Sequence, residues 1–109
     1  MAHTHQFDIR DEGTDRDHDL RMVVEGAVNG TRYSVDIMAS GPGCDDGPFG
    51  PSVREDAKGL AKDLRRELEP LRPELTDADY IEFSRDILDE AKTYADDYYR
   101  EAGIRYTPN

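Results

Sequence analysis

Apolar residues recur along this chain with two different periods, and the change from one to the other divides it into a strand-forming half and a helix-forming half. From His5 to Arg10, Phe7 and Ile9 alternate with polar residues, as a half-buried strand requires. The segments LRMVVEGAV and TRYSVDIMA flank Asn29-Gly30. Asn-Gly between two alternating runs predicts a hairpin, because both central residues of a type I′ turn need positive φ. A two-residue loop pairs Val28 with Thr31, Gly26 with Tyr33, Val24 with Val35, Met22 with Ile37 and Leu20 with Ala39. All the apolar members then share one face, and a slip by one residue would expose the whole set. The opposite face carries Arg21, Glu25, Arg32, Ser34 and Asp36, with Val23 and Met38 as exceptions.

Beyond residue 40 the period changes. Residues 40–51 hold four glycines and three prolines and read as an irregular loop. Ser52 with Glu55 forms a capping-box pattern that predicts a helix over 52–69, with Val53, Ala57, Leu60, Ala61, Leu64 and Leu68 on one stripe. Pro70 and Pro73 end it. A second helix is predicted over 76–102, opened by Thr76 and Asp79 and stopped by Gly103. At about 100° per residue, Tyr80, Phe83, Ile87, Leu88, Ala91, Tyr94, Ala95, Tyr98 and Ala102 form its apolar arc, with Ile81 and Tyr99 on the rim. The expected architecture is α+β: a three-stranded antiparallel β-meander over 5–39, then an αα hairpin packed on one face of the sheet. At 109 residues this is a single domain.

Charge changes the picture of the second helix. Residues 76–102 carry nine acidic side chains against three basic ones, whereas residues 53–69 carry five of each. Asp79, Asp86, Glu90, Asp97 and Glu101 fall on a narrow stripe, with Glu82 and Asp89 beside it. Arg85 and Lys92 sit on the opposite flank, and Arg100 is the one base close by. The whole chain has a formal charge of -11. That argues against direct contact with nucleic acid or anionic membranes and for a basic protein partner. A salt-adapted proteome is the other source of such acidity, but it would spread the charge evenly, and here the charge is localised.

Candidate chemistry is thin. Asp15-x-Asp17-x-Asp19 resembles the start of a calcium loop, but Leu20 stands where the turning glycine belongs and Gly26 where the bidentate glutamate belongs. His3, His5 and His18 could gather with these aspartates around a transition metal, yet two of them lie on an N-terminal tail. Cys44 is the single cysteine, so no internal disulfide forms, and Asp45 and Asp46 beside it oppose a thiolate. No metal or cofactor site and no enzyme are expected. No apolar run spans a bilayer and no hydrophobic leader precedes residue 10, so the expectation is a cytoplasmic protein, in the host cytoplasm if the source is viral.

In size, acidity and lack of any motif the chain resembles the DNA-mimic inhibitors that viruses use against restriction and CRISPR systems. These share no common fold, so the resemblance transfers no residue roles. It implies a non-enzymatic protein that occupies the basic nucleic-acid-binding surface of a partner. The contact residues expected from charge placement are Asp79, Glu82, Asp86, Asp89, Glu90, Asp97, Glu101 and Tyr99, with Asp15 and Asp17 from the loop at 11–19. The alternative is a regulatory or adaptor domain, monomeric or homodimeric, that binds through the helical hairpin with its acidity incidental.

Overall fold

A computed structural model describes residues 3–16, 19–40, 52–53 and 56–101. The order is β1 (His5–Thr14), β2 (Leu20–Val28), β3 (Thr31–Ser40), β4 (Ser52–Val53), α1 (Ala57–Leu68) and α2 (Asp77–Glu101). The strands form one antiparallel sheet in the order β1-β2-β3-β4, and both helices pack on the same face. This is the expected α+β meander with a helical hairpin, extended by the two-residue β4.

The β2–β3 hairpin has the register that the apolar pattern dictates. Val28 pairs Thr31, Val24 pairs Val35, Met22 pairs Ile37 and Leu20 pairs Ala39. Asn29 and Gly30 take positive φ, 50° and 87°, as a tight primed turn demands. The inward residues Leu20, Met22, Val24, Val28, Tyr33 and Ile37 meet Leu60, Leu64 and Leu68 of α1 and Tyr80, Phe83, Ile87 and Tyr99 of α2 in one core. On the outer face, Arg21 pairs Asp36 at 2.7 Å and Arg10 approaches Glu25 at 3.4 Å. Val23, the apolar exception there, lies in register between Arg10 and Asp36 and is buried.

Two boundaries differ from the pattern-based expectation, the end of β1 and the start of α1. β1 continues through Asp11 to Thr14, beyond the Arg10 limit, with a register shift between Asp11 and Thr14 and Gly13 at φ +84°. Part of the expected acidic loop is therefore strand. Ser52 and Val53 pair with Ser40 and Ala39 as β4, so they do not open a helix. Asp56 caps α1 instead, its carboxylate accepting from the Gly59 amide at 2.7 Å. A sheet partner for Ser52 outcompetes the cap, since backbone pairing satisfies both its donor and its acceptor. Of the expected loop at 40–51, Ser40 ends β3 and the remainder, with Cys44, lies outside the described residues, as do His18, Glu55 and the Gly103 stop.

The second capping box is formed. The Thr76 hydroxyl accepts from the Asp79 amide at 3.2 Å, and the Asp79 carboxylate accepts from the Thr76 amide at 2.9 Å. Arg72, in the linker between the helices, reaches back to the hairpin turn. Its Nε donates to Thr31 Oγ1 at 2.8 Å and its Nη2 to the Asn29 carbonyl. The inter-helix linker and the β-turn are thus one fastened unit.

Gly26 is required by a close approach. A Cβ there would stand 2.5 Å from Tyr33 Cζ and 2.7 Å from the Gln6 carbonyl oxygen. The ring of Tyr33 lies over this gap, and burial pushes its phenol pKa upward. Gly26→Ala is expected to destabilise the fold by about 1–3 kcal/mol through overpacking. Urea denaturation measures this, and an unchanged midpoint would mean that Tyr33 does not hold that position.

Candidate functional site

Helix α2 runs alongside β1, in the same direction, and two polar contacts set that alignment. At one end, His3 Nε2 stands 3.2 Å from Asp79 Oδ2, and His3 Nδ1 is 2.9 Å from Asn29 Nδ2 in the hairpin turn. At the other end, the Tyr94 hydroxyl donates to Asp11 Oδ2 at 2.6 Å. Burial, then that hydrogen bond, push the Tyr94 pKa up to about 12, so the phenol stays a donor. Between them, His5 packs on Phe83 with ring centroids 4.7 Å apart and hydrogen-bonds the Tyr33 hydroxyl through Nε2 at 2.6 Å.

This alignment decides where the carboxylates go. α1 flanks α2 on the Tyr80–Ile81 side, where the Arg65 guanidinium lies 5.8 Å over the Tyr80 ring and bridges to Asp77. The opposite flank carries Asp86, Glu90 and Asp97 and overhangs β1. Glu90 and Asp97 line a groove of about 580 Å³ with Phe7, Ile9 and Tyr94. Glu82 and Asp89 point outward from the sheet, about 60–80° round the helix from Asp97 at its regular turn. Glu82, Asp86, Asp89, Glu90, Asp97 and Glu101 are all exposed, and none has an ion-pair partner among the described residues. Of the acids of α1 and its C-cap, Asp63 pairs with Arg66 and Glu69 with Arg65, while Glu67 is exposed without an ion-pair partner among the described residues. On α2, Arg100 turns to Asp96 at 2.6 Å and leaves the ridge uncompensated.

Several expected contact residues have other employment. Asp79 is a cap and a histidine partner with its side chain 21% exposed, and hydrogen bonding to the Thr76 amide lowers its pKa. It belongs to the fold more than to the ridge. Tyr99, expected on the rim, is fully buried at 0% exposure. A uniform helical wheel centred on Tyr80 misplaces it, because that flank of α2 is covered by α1 and β4 and not left open. Its neighbour Tyr98 is the half-buried one, edge-on to Tyr99 at 5.8 Å. Asp15 closes its own turn, its carboxylate accepting from the Asp19 amide at 3.0 Å and its amide donating to the Asp19 carbonyl at 3.2 Å. Asp17 lies outside the described residues. Because β1 and α2 run the same way, the β1–β2 turn lies at the end of the molecule toward which the C-terminus of α2 points.

His3 and His5, singled out as possible ligands, serve packing and hydrogen bonding here. Among the described residues, no three His, Cys, Asp or Glu side chains gather as a metal would require. Likewise no described helix is long and apolar enough to cross a membrane. Comparison of the chain with protein-family models, with curated proteins and with solved structures finds no match.

Two outcomes follow from the titrating groups. Burial lowers the His5 pKa from 6.5, with Asp86 opposing the shift. A base with a depressed folded pKa contributes stability that is full above 6.5 and lost as pH falls through the folded value. Between about pH 7.5 and 5, the parent should lose more stability than His5→Gln. Parallel denaturant curves with equal losses would mean that His5 is not neutral in the fold. Along the ridge, Glu82–Asp86, Asp86–Glu90 and Asp97–Glu101 are like-charge pairs four residues apart. Each opposes the helix by about 0.2–0.5 kcal/mol. Replacing Asp86, Asp89, Glu90 and Asp97 by their amides should therefore leave stability unchanged or raise it by up to about 1 kcal/mol, read as a higher urea midpoint.

Proposed function

We propose that this chain is a non-enzymatic binding protein whose α2 carboxylates occupy a basic, nucleic-acid-binding surface on a partner protein, in the manner of a DNA-mimic inhibitor. The observation that supports this reading is the ridge: six exposed carboxylates on one helix without an ion-pair partner among the described residues, beside a neighbouring helix on which Glu67 alone lacks one. From Glu82 to Glu101 these charges span about 28 Å, one per roughly 5 Å. A single nucleic-acid strand carries one per about 3.4 Å and a duplex one per about 1.7 Å. The ridge is therefore nearer to one strand than to a duplex, and a groove that tracks one phosphate backbone is the better fit.

Binding would be competitive, accelerated by charge and weakened by salt. The adaptor reading, in which the helical hairpin is the contact surface, has less to support it. Among the described residues Leu71 is the only large apolar side chain that is strongly exposed, at 67%. That is too little for an apolar interface core.

The variant Asp86→Asn/Asp89→Asn/Glu90→Gln/Asp97→Asn separates the readings, and Asp79 is left intact because it caps the helix. Partners retained on immobilised parent protein at low salt should be lost at high salt and on the variant. The retained protein should itself bind nucleic acid, and the chain should displace that nucleic acid. A partner held equally well by the variant, or one without nucleic-acid affinity, would falsify the proposal.

A further inference from the structure

β1 is an edge strand, and its open side faces the acid flank of α2. The direction of its free groups follows from the pairing. The Asn29 amide donates to the Thr4 carbonyl at 2.9 Å, so Thr4 turns its backbone toward β2 and the hairpin turn. In an antiparallel ladder the direction alternates by residue. Gln6, Asp8 and Arg10 therefore face β2 in their pairs with Ala27, Glu25 and Val23, and His5, Phe7, Ile9 and Asp11 direct their amide and carbonyl groups outward. Among the described residues no backbone partner meets these outward groups; the Asp11 amide is met by the Tyr94 hydroxyl, which leaves His5, Phe7 and Ile9 open. The register shift that bends β1 lies after Asp11, so the run from His5 to Asp11 is left regular.

The side chains of the same residues complete the surface. His5, Phe7 and Ile9 point into the helix layer yet stay half-buried, because α2 covers β1 only in part. They form the floor of the groove, and Glu90, Tyr94 and Asp97 form its wall. Asp86, next along the helix, is close enough to act on the charge of His5.

We infer that the β1 edge and the α2 flank together form a docking groove for an extended, arginine- or lysine-bearing segment of another protein, added as an antiparallel strand beside β1. Antiparallel addition continues a sheet that is antiparallel throughout. Residues of the guest opposite Phe7 and Ile9 would exchange backbone hydrogen bonds with them and project their side chains into the groove. A basic side chain there lays its apolar stem along Phe7, Ile9 and Tyr94 and sets its charge between Glu90 and Asp97. A second copy of this chain fits poorly. Joining two β1 edges would bring two acid flanks together, and β1 itself holds three acids and one arginine. The outer edge of β3 is the other unpaired stretch, but there Asp63 pairs with Arg66 and Asp36 with Arg21, leaving Glu67 as the one acid without an ion-pair partner among the described residues.

The groove does not depend on the proposed function, since it would take a basic strand whether or not its owner binds nucleic acid. The test uses the full chain and a fluorescein-labelled peptide, Thr-Arg-Thr-Arg-Thr-Arg-Thr. Fluorescence anisotropy should show saturable binding that weakens by about tenfold in Glu90→Gln/Asp97→Asn, while the reversed-charge peptide with Glu for Arg does not bind. N-methylation of the arginine amides should abolish binding, because those amides face β1, and N-methylation of the threonine amides should not. Hydrogen exchange at His5, Phe7 and Ile9 should slow when the peptide is added. Loss of binding in the charge variant with no effect of arginine N-methylation would reduce the site to bare attraction and overturn the inference. So would absence of binding, or concentration-dependent self-association that protects the same amides. A peptide that binds this way while no nucleic-acid-binding partner is found would remove the mimic reading alone.

Discussion

The hydrogen bond from Tyr94 to Asp11, with the His3–Asp79 contact at the far end, holds α2 lengthwise against the first strand. Hydrophobic burial alone would not choose this arrangement. An apolar arc as wide as that of α2 packs on a sheet over a range of rotations. Two polar pins near opposite ends of the helix select one rotation, and with it the side on which Asp86, Glu90 and Asp97 emerge. Both pins use β1 or the residues just before it, the chain's exposed edge. Edge, groove and acid flank are consequences of one docking geometry.

The β2–β3 hairpin was legible from sequence to the residue, whereas the extension of β1 to Thr14 and the short β4 were not. Period two, Asn-Gly and the single-face rule admit one register, and Gly26 beneath Tyr33 was implied by that register before any contact was known. The helices were legible as amphipathic segments, but their ends and outer faces were not. Ser52 satisfies the rule for a helix cap and pairs instead with Ser40, because the cap motif says nothing of a nearby unpaired strand. Tyr99 sits where a symmetric wheel leaves a rim, and only the position of α1 and β4 determines that this flank is closed.

The least legible residues are those that join distant parts of the chain. His3, Asn29 and Asp79 meet across 76 positions, and Arg72 meets Thr31 across 41. Nothing local marks them. A histidine on an N-terminal tail reads as incidental, and an arginine between two prolines reads as solvent-exposed. Their roles appear only once the linker and the hairpin turn are known to lie together. The pattern that could have raised Arg72 is its placement between Pro70 and Pro73, which stiffens the linker around a side chain with five donors.

The ridge is an arrangement that stability alone would not favour. Three like-charge pairs at four-residue spacing work against α2, and Asp97 and Glu101 stand at the end of the helix where the macrodipole disfavours negative charge. A chain that is acidic merely for solubility has cheaper places for those charges, at the helix start or opposite arginine. α1 has bases in its last turn, with Arg65 bridging Glu69 and Arg66 pairing Asp63. α1, in the same domain and solvent, leaves one such acid, Glu67, against six on α2, and this difference favours a local role for the charge over a general demand for acidity. A cation brought to the flank of α2 relieves the repulsion it finds there. The free energy withheld from folding would then become available to binding, which supports the proposed basic partner.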